Sequence, residues 1–261
     1  MTPEAEPRLQ LAKPLPAEQT CRVVTRFASV DRLLADSADE HVVVLLAPLG
    51  PCELSAALAA QRLRRDRITL VRLSLPGIGG RHLERVVRVA ASRGWHPPEL
   101  AALAGELERH AEVHLVAPGP ALAQFGGPGG RIRRRAVRVH WADGRWSRES
   151  ASPAAFEQAL HDALARDRDC AMSLTGRKVP AGWVALAGRS REHQVAVAVN
   201  EGGLAVALGA GWAVELLSGP HLDESALSML RERIVSAPRC GWCGTPVPGR
   251  ACARCSPGLG T

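Results

Sequence analysis

The sequence predicts an α/β fold, a mainly parallel sheet with flanking helices, followed by a small α+β region and a cysteine-rich tail. Three observations carry this expectation. Short apolar runs alternate with amphipathic segments from Arg22 to about Ala117, as repeating βα units do. Beyond Arg166 the apolar runs become shorter and are separated by Gly- and Asn-containing turns. The last residues hold four of the seven cysteines. A chain of 261 residues, 46% hydrophobic, can fill one large domain or two modest ones. With 3% aromatic content and no tyrosine, its core must be aliphatic.

The elements follow in order. Residues 1–21, rich in Pro and Glu, lack the continuous apolar core of a signal peptide and read as a flexible leader. SVDRLLAD leads into the strand HVVVLLAP, whose apolar run from Val42 is far too short to span a membrane. LGPCELSAALAAQRLRRD reads as a turn and a helix, and RITLVRLSLP as the next strand. In RHLERVVRVAASRG, Leu83, Val86, Val87 and Val89 or Ala90 share one helical face. After the WHPP turn, Pro98 begins the helix ELAALAGELERHA, and EVHLVAP follows as a third strand.

FGGPGG punctuates the chain at residues 125–130, and Asp143-Gly144 between two strand-like runs marks a hairpin. Ser152 and Pro153 suit the N-cap and first position of the helix PAAFEQALHDALARD, which completes an α/β domain over residues 22–168. Past a linker-like stretch, GWVALAGRS, HQVAVAVN and GLAVALGAGWAVELLS read as short antiparallel strands, with Asn200-Glu201-Gly202-Gly203 as a turn. Asp223 or Ser225 caps the helix ending at RERIV. Residues 171–235 then form a small α+β domain or extend the first sheet.

The tail, residues 236–261, contains CGWCGTPVPGRACARC. Cys240 and Cys243 make one CxxC pair, Cys252 and Cys255 another, and Pro246, Pro248 and Gly249 suit a turn that brings the pairs together. Four thiolates at about 2.3 Å build a closed tetrahedral Zn²⁺ site, with no open position for a substrate. Arg239, Arg250 and Arg254 can offset the negative charge of such a centre. The segment resembles the small zinc-ribbon modules of bacterial proteins, with two CxxC knuckles, a Gly after the first pair and a Pro-containing turn. The resemblance covers about 16 residues, Cys240 to Cys255, with a short connecting loop and Ser256 where Gly often follows. It implies a structural Zn²⁺, a ribbon too short for a core of its own, and folding driven largely by the metal. Trp242 reads either as an exposed contact or as packing over the sulfurs.

A net charge of +7 favours anionic partners without naming one. RIRRRAVRVHW places Arg131, Arg133, Arg134, Arg135 and Arg138 beside Trp141 and Trp146, a pattern that suits a soluble sheet edge first and single-stranded nucleic acid second. PGIGGRHLER, with Gly77, Gly79, Gly80 and Arg81 at a strand-to-helix turn, reads first as a simple βα turn and second as a cradle for a phosphate, the full dinucleotide fingerprint being absent. Cys52 at a helix start is a potential nucleophile if a histidine approaches it, or else a buried small residue. His110 and His114 have helical spacing without an HExxH order, His96 and Glu99 mark a helix start, and Cys21 and Cys170 stand without ligand spacing.

No convincing catalytic set emerges. The expected function is a non-catalytic zinc-ribbon adaptor in a bacterial multicomponent system, cytoplasmic, with a protein partner and no membrane association. The alternatives are a nucleic-acid-binding protein using the ribbon and the Arg131–Arg138 strand, and a nucleotide- or acyl-dependent enzyme with its site near Gly50 to Glu53 and Gly77 to Arg81.

Overall fold

The computed structural model describes residues 21–24, 30–36, 40–46, 51–64, 67–125, 136–149, 151–201, 203–249, 252 and 255. The expected leader lies outside them, save Cys21. The opening βα units form as their patterns require: β1 (Cys21–Val24), β2 (His41–Leu46) and β3 (Ile68–Arg72) pair in parallel, in that order. Their connecting helices, α1 (Val30–Asp36) and α2 (Pro51–Leu63), cover one face, where Ala57 and Ala60 pack on Val42, Val44, Ile68 and Leu70. The alternate residues, Val43, Leu45 and Val71, face the other way. Both faces are buried, which is why these strands read as continuous apolar runs.

Two helices in succession, α3 (Gly77–Ser92) and α4 (Pro97–His110), then cross that second face. They carry the chain away from the first sheet and into a second. This sheet contains β4 (Glu112–Pro118), β5 (Ala136–Ala142), β6 (Arg145–Glu149), β7 (Asp169–Gly176), β8 (Ala196–Asn200) and β9 (Trp212–Gly219). Its order is β6-β5-β4-β9-β7-β8, and only β7 and β8 run parallel. The expectation of a mainly parallel sheet is therefore corrected: the all-parallel sheet ends at β3, and EVHLVAP is at the centre of a mainly antiparallel one. Strands from both sides of residue 170 share this sheet, with β7 joined to β9 and β9 to β4.

α3 and α4 lie between the two sheets, and one core unites Leu45 and Val71 with Leu83, Leu100 and Leu103 and with Val113, Trp141 and Leu217. On the far face of the second sheet, α5 (Pro153–Ala165) and α6 (Ala181–Glu192) bury Phe156, Leu160, Trp183 and Leu186 against Val116, Met172, Leu174, Val214 and Leu216. A 3₁₀ segment (Gly119–Phe125) and the short α7 (Leu204–Ala207) cover the rest of the near face. The last helix, α8 (Glu224–Ser236), packs on α4.

Local signals held where side-chain chemistry acts within a few residues. Asp143 and Gly144 adopt φ of 51° and 80° in the β5–β6 hairpin. Ser152 accepts the Ala155 amide at 3.1 Å, and Asp223 accepts that of Ala226 at 2.7 Å. GWVALAGRS, by contrast, is helix α6 and not a strand: Trp183, Leu186, Ala187 and Ser190 are buried on one helical face while Val184 is 53% exposed. GLAVALG likewise contains α7 in place of a strand.

Candidate functional site

The turn from β3 into α3 combines the carboxyl end of a parallel strand with a helix N-terminus, the arrangement that collects anions in open α/β sheets. Its amides are already occupied. Ile78 N and Gly79 N donate to Glu215 at 2.8 and 3.1 Å, while Leu75 N donates to Glu108 at 3.0 Å and Ser74 N donates to the same carboxylate oxygen. Glu215 comes from the centre of β9, between Leu115 of β4 and Ser173 of β7, and Glu108 from the last turn of α4. The phosphate-cradle reading of Gly77 to Arg81 is thus corrected: the chain's own carboxylate takes these N–H groups.

Glu215 is fully buried and Glu108 partly so, and desolvation pushes each up to about 7, against the lowering effect of the backbone N–H groups they accept. Arg81 and Ser173 further favour the ionised form of Glu215. The turn is shaped for this occupant. Gly77 has φ +56°, and a β-carbon there would overlap the Glu215 carboxylate. Chemically, the site places two carboxyl groups, both raised toward neutrality, at the β3–α3 turn. Sequence reasoning missed both acids, although an acid inside the apolar run WAVELLSG was a readable sign of a buried polar role.

A second feature is a groove of about 700 Å³ between α4, α8 and the chain before each of β7 and α8. Leu107, Leu222, Met229 and Leu230 supply apolar lining, and Arg168, His221 and Arg233 line it with charge.

The tail cysteines converge. One sulfur from each of Cys240, Cys243, Cys252 and Cys255 lies within 4.8 Å of the others, and Cys243 Sγ is 3.5 Å from Cys252 Sγ. A tetrahedron with bonds of about 2.3 Å separates its sulfurs by about 3.8 Å, so the spacing suits one tetrathiolate-bound ion. Gly244, at φ +70°, donates to Cys240 O at 2.9 Å, and Cys240 N donates to Thr245 O at 2.9 Å. Arg239 donates to Gly244 O at 3.1 Å, and Gly249 lies against the Arg109 guanidinium of α4. Trp242 is 95% exposed and does not cover the sulfurs. Arg250 and Arg254 lie outside the described residues.

The other sequence candidates do not assemble into a site. Arg131, Arg133, Arg134 and Arg135 lie outside the described residues, as do Gly50 and the side chains of Cys52 and Glu53. Arg138 is buried and donates to Glu149. Trp141 is buried with its Nε1 donating to Glu108 O at 2.8 Å, and Trp146 packs on Phe125 and Trp141. These aromatics face the core, so no stacking platform for bases exists among the described residues of this strand. His110 ends α4 beside Glu106, and His96 caps α4 with Glu99 accepting its amide at 3.1 Å. Burial pushes the Cys21 thiol up to about 12 and that of Cys170 up to about 11, which suppresses the nucleophilic thiolate.

No family model and no curated protein matches the sequence. Solved structures do match the fold. A DegV family protein from Corynebacterium glutamicum has a TM-score of 0.54 at 16% identity, covering 76% of this chain and 85% of that one. A DegV family protein from Thermus thermophilus, described for its fatty acid binding, has a TM-score of 0.53 at 17% identity over 73% and 77% of the two chains. The Streptococcus pneumoniae Fatty Acid Kinase B3 protein, loaded with linoleic acid, gives 0.51 at 15% identity over 78% and 79%. These matches overturn the expected zinc-ribbon adaptor and its nucleic-acid alternative. About three quarters of the chain resembles fatty-acid-binding proteins, and beyond the proximity of four cysteines nothing supports placing the work in the tail. At these identities the likeness is one of architecture: the chain has an α/β fold, sheets with flanking helices, like that of DegV family proteins.

Proposed function

We propose that this protein binds a long-chain fatty acid. The observation that carries the reading is the extent of the fold match, which spans most of both chains and recurs in several proteins described as binding fatty acids or holding one. Fold alone does not transfer function, so local chemistry has to support it. The groove of about 700 Å³ lies within the roughly 300–1,000 Å³ typical of small-molecule sites, and its apolar lining with charged residues alongside suits an amphiphile. Among the described residues no helix is long and apolar enough to cross a membrane.

In this reading the tail is structural. We propose that Cys240, Cys243, Cys252 and Cys255 hold one Zn²⁺, supported by the convergence of their sulfurs and by thiols without a disulfide, as in a reducing cytoplasm. The exposed Trp242 offers a contact for a protein partner that delivers or receives the acyl cargo.

The test is titration of delipidated full-length protein with oleate and palmitate, followed by native mass spectrometry and displacement of a fluorescent fatty acid. Saturable binding of one acyl chain per protein is expected, weakened by Leu230→Arg in the groove. Absence of a saturable complex with either acid overturns the proposal. Binding that is lost in Glu215→Gln but unchanged in Leu230→Arg moves the site to the β3–α3 turn.

A further inference from the structure

On the α5 face of the second sheet, β4 and β5 bring together two histidines that neither acyl binding nor the tail employs. His114 and His140 are directly opposed in the antiparallel register, and their rings stack with centroids 4.1 Å apart at 15°. Glu112 lies two residues before His114, hence on the same face of β4. One donor atom from each of Glu112, His114 and His140 lies within 4.8 Å of the other two. We propose that these three residues bind one divalent transition-metal ion of borderline softness, such as Zn²⁺.

Orphaned polar atoms point to an occupant. His114 is only 6% exposed and its Nδ1 has no hydrogen-bond partner, while His140 Nε2 is also buried without one. A buried polar atom left unpaired costs about 1–3 kcal/mol, and such atoms in a native fold call for an explanation. A metal ion supplies one, because a neutral imidazole offers its lone pair. Glu149 Oε1 lies 2.9 Å from His140 Nδ1, which orients that ring and leaves Nε2 for the ion. A carboxylate behind a ligating histidine is a recurrent second partner of metal sites. Phe156 closes another side, edge-on to His114 at 5.9 Å.

The donor atoms select the metal. Glu112 Oε1 accepts Arg166 Nη1 at 3.0 Å and Arg168 Nη1 at 2.9 Å, whereas Oε2 accepts Arg166 Nη2 at 2.8 Å and keeps a lone pair. Arg138, Arg166 and Arg168 together face Glu112 and Glu149. These ion pairs leave a single carboxylate oxygen and two imidazole nitrogens as donors, a set that suits Zn²⁺, Cu²⁺ or Ni²⁺ and not Mg²⁺ or Ca²⁺, which are held mainly by anionic oxygen. The stacked rings hold their lone pairs in nearly parallel planes, and bonds of about 2.0–2.1 Å span less than the observed spread of donors, so binding turns the rings out of the stack toward a common point.

The test uses reduced full-length protein equilibrated with Zn²⁺ and desalted, with metal per chain read by mass spectrometry for wild type, Cys243→Ser and His140→Ala. His140→Ala is expected to lose one equivalent that Cys243→Ser retains, with at least a tenfold weaker response in a Zn²⁺ titration. In wild-type protein, Zn²⁺ is expected to shift the ring ¹⁵N resonances of both His114 and His140. That measurement decides the matter if the variant fails to fold. Unchanged metal content in folded His140→Ala, or ring resonances that do not move at saturating Zn²⁺, overturns the site.

Discussion

Gly77 and Glu215, 138 positions apart, meet so closely that a β-carbon on the first would overlap the carboxylate of the second. A loop glycine and a mid-sheet acid thus form one unit, in which Glu215 accepts the amides of the next two residues, Ile78 and Gly79. The acid caps α3 from another sheet and ties the parallel strands to the antiparallel ones.

Gly77→Ala combines steric overlap with a positive φ of 56°. It is expected to destabilise the protein by about 2–4 kcal/mol in urea unfolding, since overpacking costs roughly 1–3 kcal/mol and the left-handed backbone about 1 more. Gly94→Ala, at φ +74° but facing open space, is expected to cost only about 1 kcal/mol.

Glu108 and Glu215 impose a pH dependence. Each is raised from 4.5 to about 7 by burial, so the folded state binds more protons than the unfolded state between those values. Stability from this source is complete below about pH 4.5 and is lost as pH rises through 7, by up to about 3 kcal/mol per group. Burial lowers His82, which acts in the opposite sense below pH 6.5, so the informative quantity is a difference. Urea unfolding of wild type and Glu215→Gln between pH 5 and 8 is expected to show a shallower decline in the variant.

Val184 and Leu186 distinguish the observed helix from a strand. In a strand they would share a face, but here Leu186 is 1% exposed and Val184 is 53% exposed. Leu186→Ala is expected to cost about 2–5 kcal/mol, and Val184→Ala within about 0.5 kcal/mol, by chemical denaturation.

Zinc removal probes the tail. Chelation, or Cys252→Ser, is expected to release the Zn²⁺ proposed at the four cysteines and to open the tail to protease, because so short a segment folds on metal-binding energy. Acyl binding is expected to survive, as the groove-lining residues belong to the body. Metal analysis, limited proteolysis and fatty-acid titration of the same sample read all three.

Sequence by itself determined what acts over a few residues: strands β2 and β3, the Asp143-Gly144 hairpin, the caps at Ser152 and Asp223, and two CxxC pairs able to close on each other. Helix α6 escaped because alanine, leucine and valine permit either period, and only packing on Phe156 selects one. Tertiary structure alone decided which sheet EVHLVAP joins, that the α3 amides go to Glu215, and that His114 stacks on His140. Each pairs residues far apart in the chain, and buried hydrogen-bond partners are assigned by sheet order and register, which no local pattern of residues specifies.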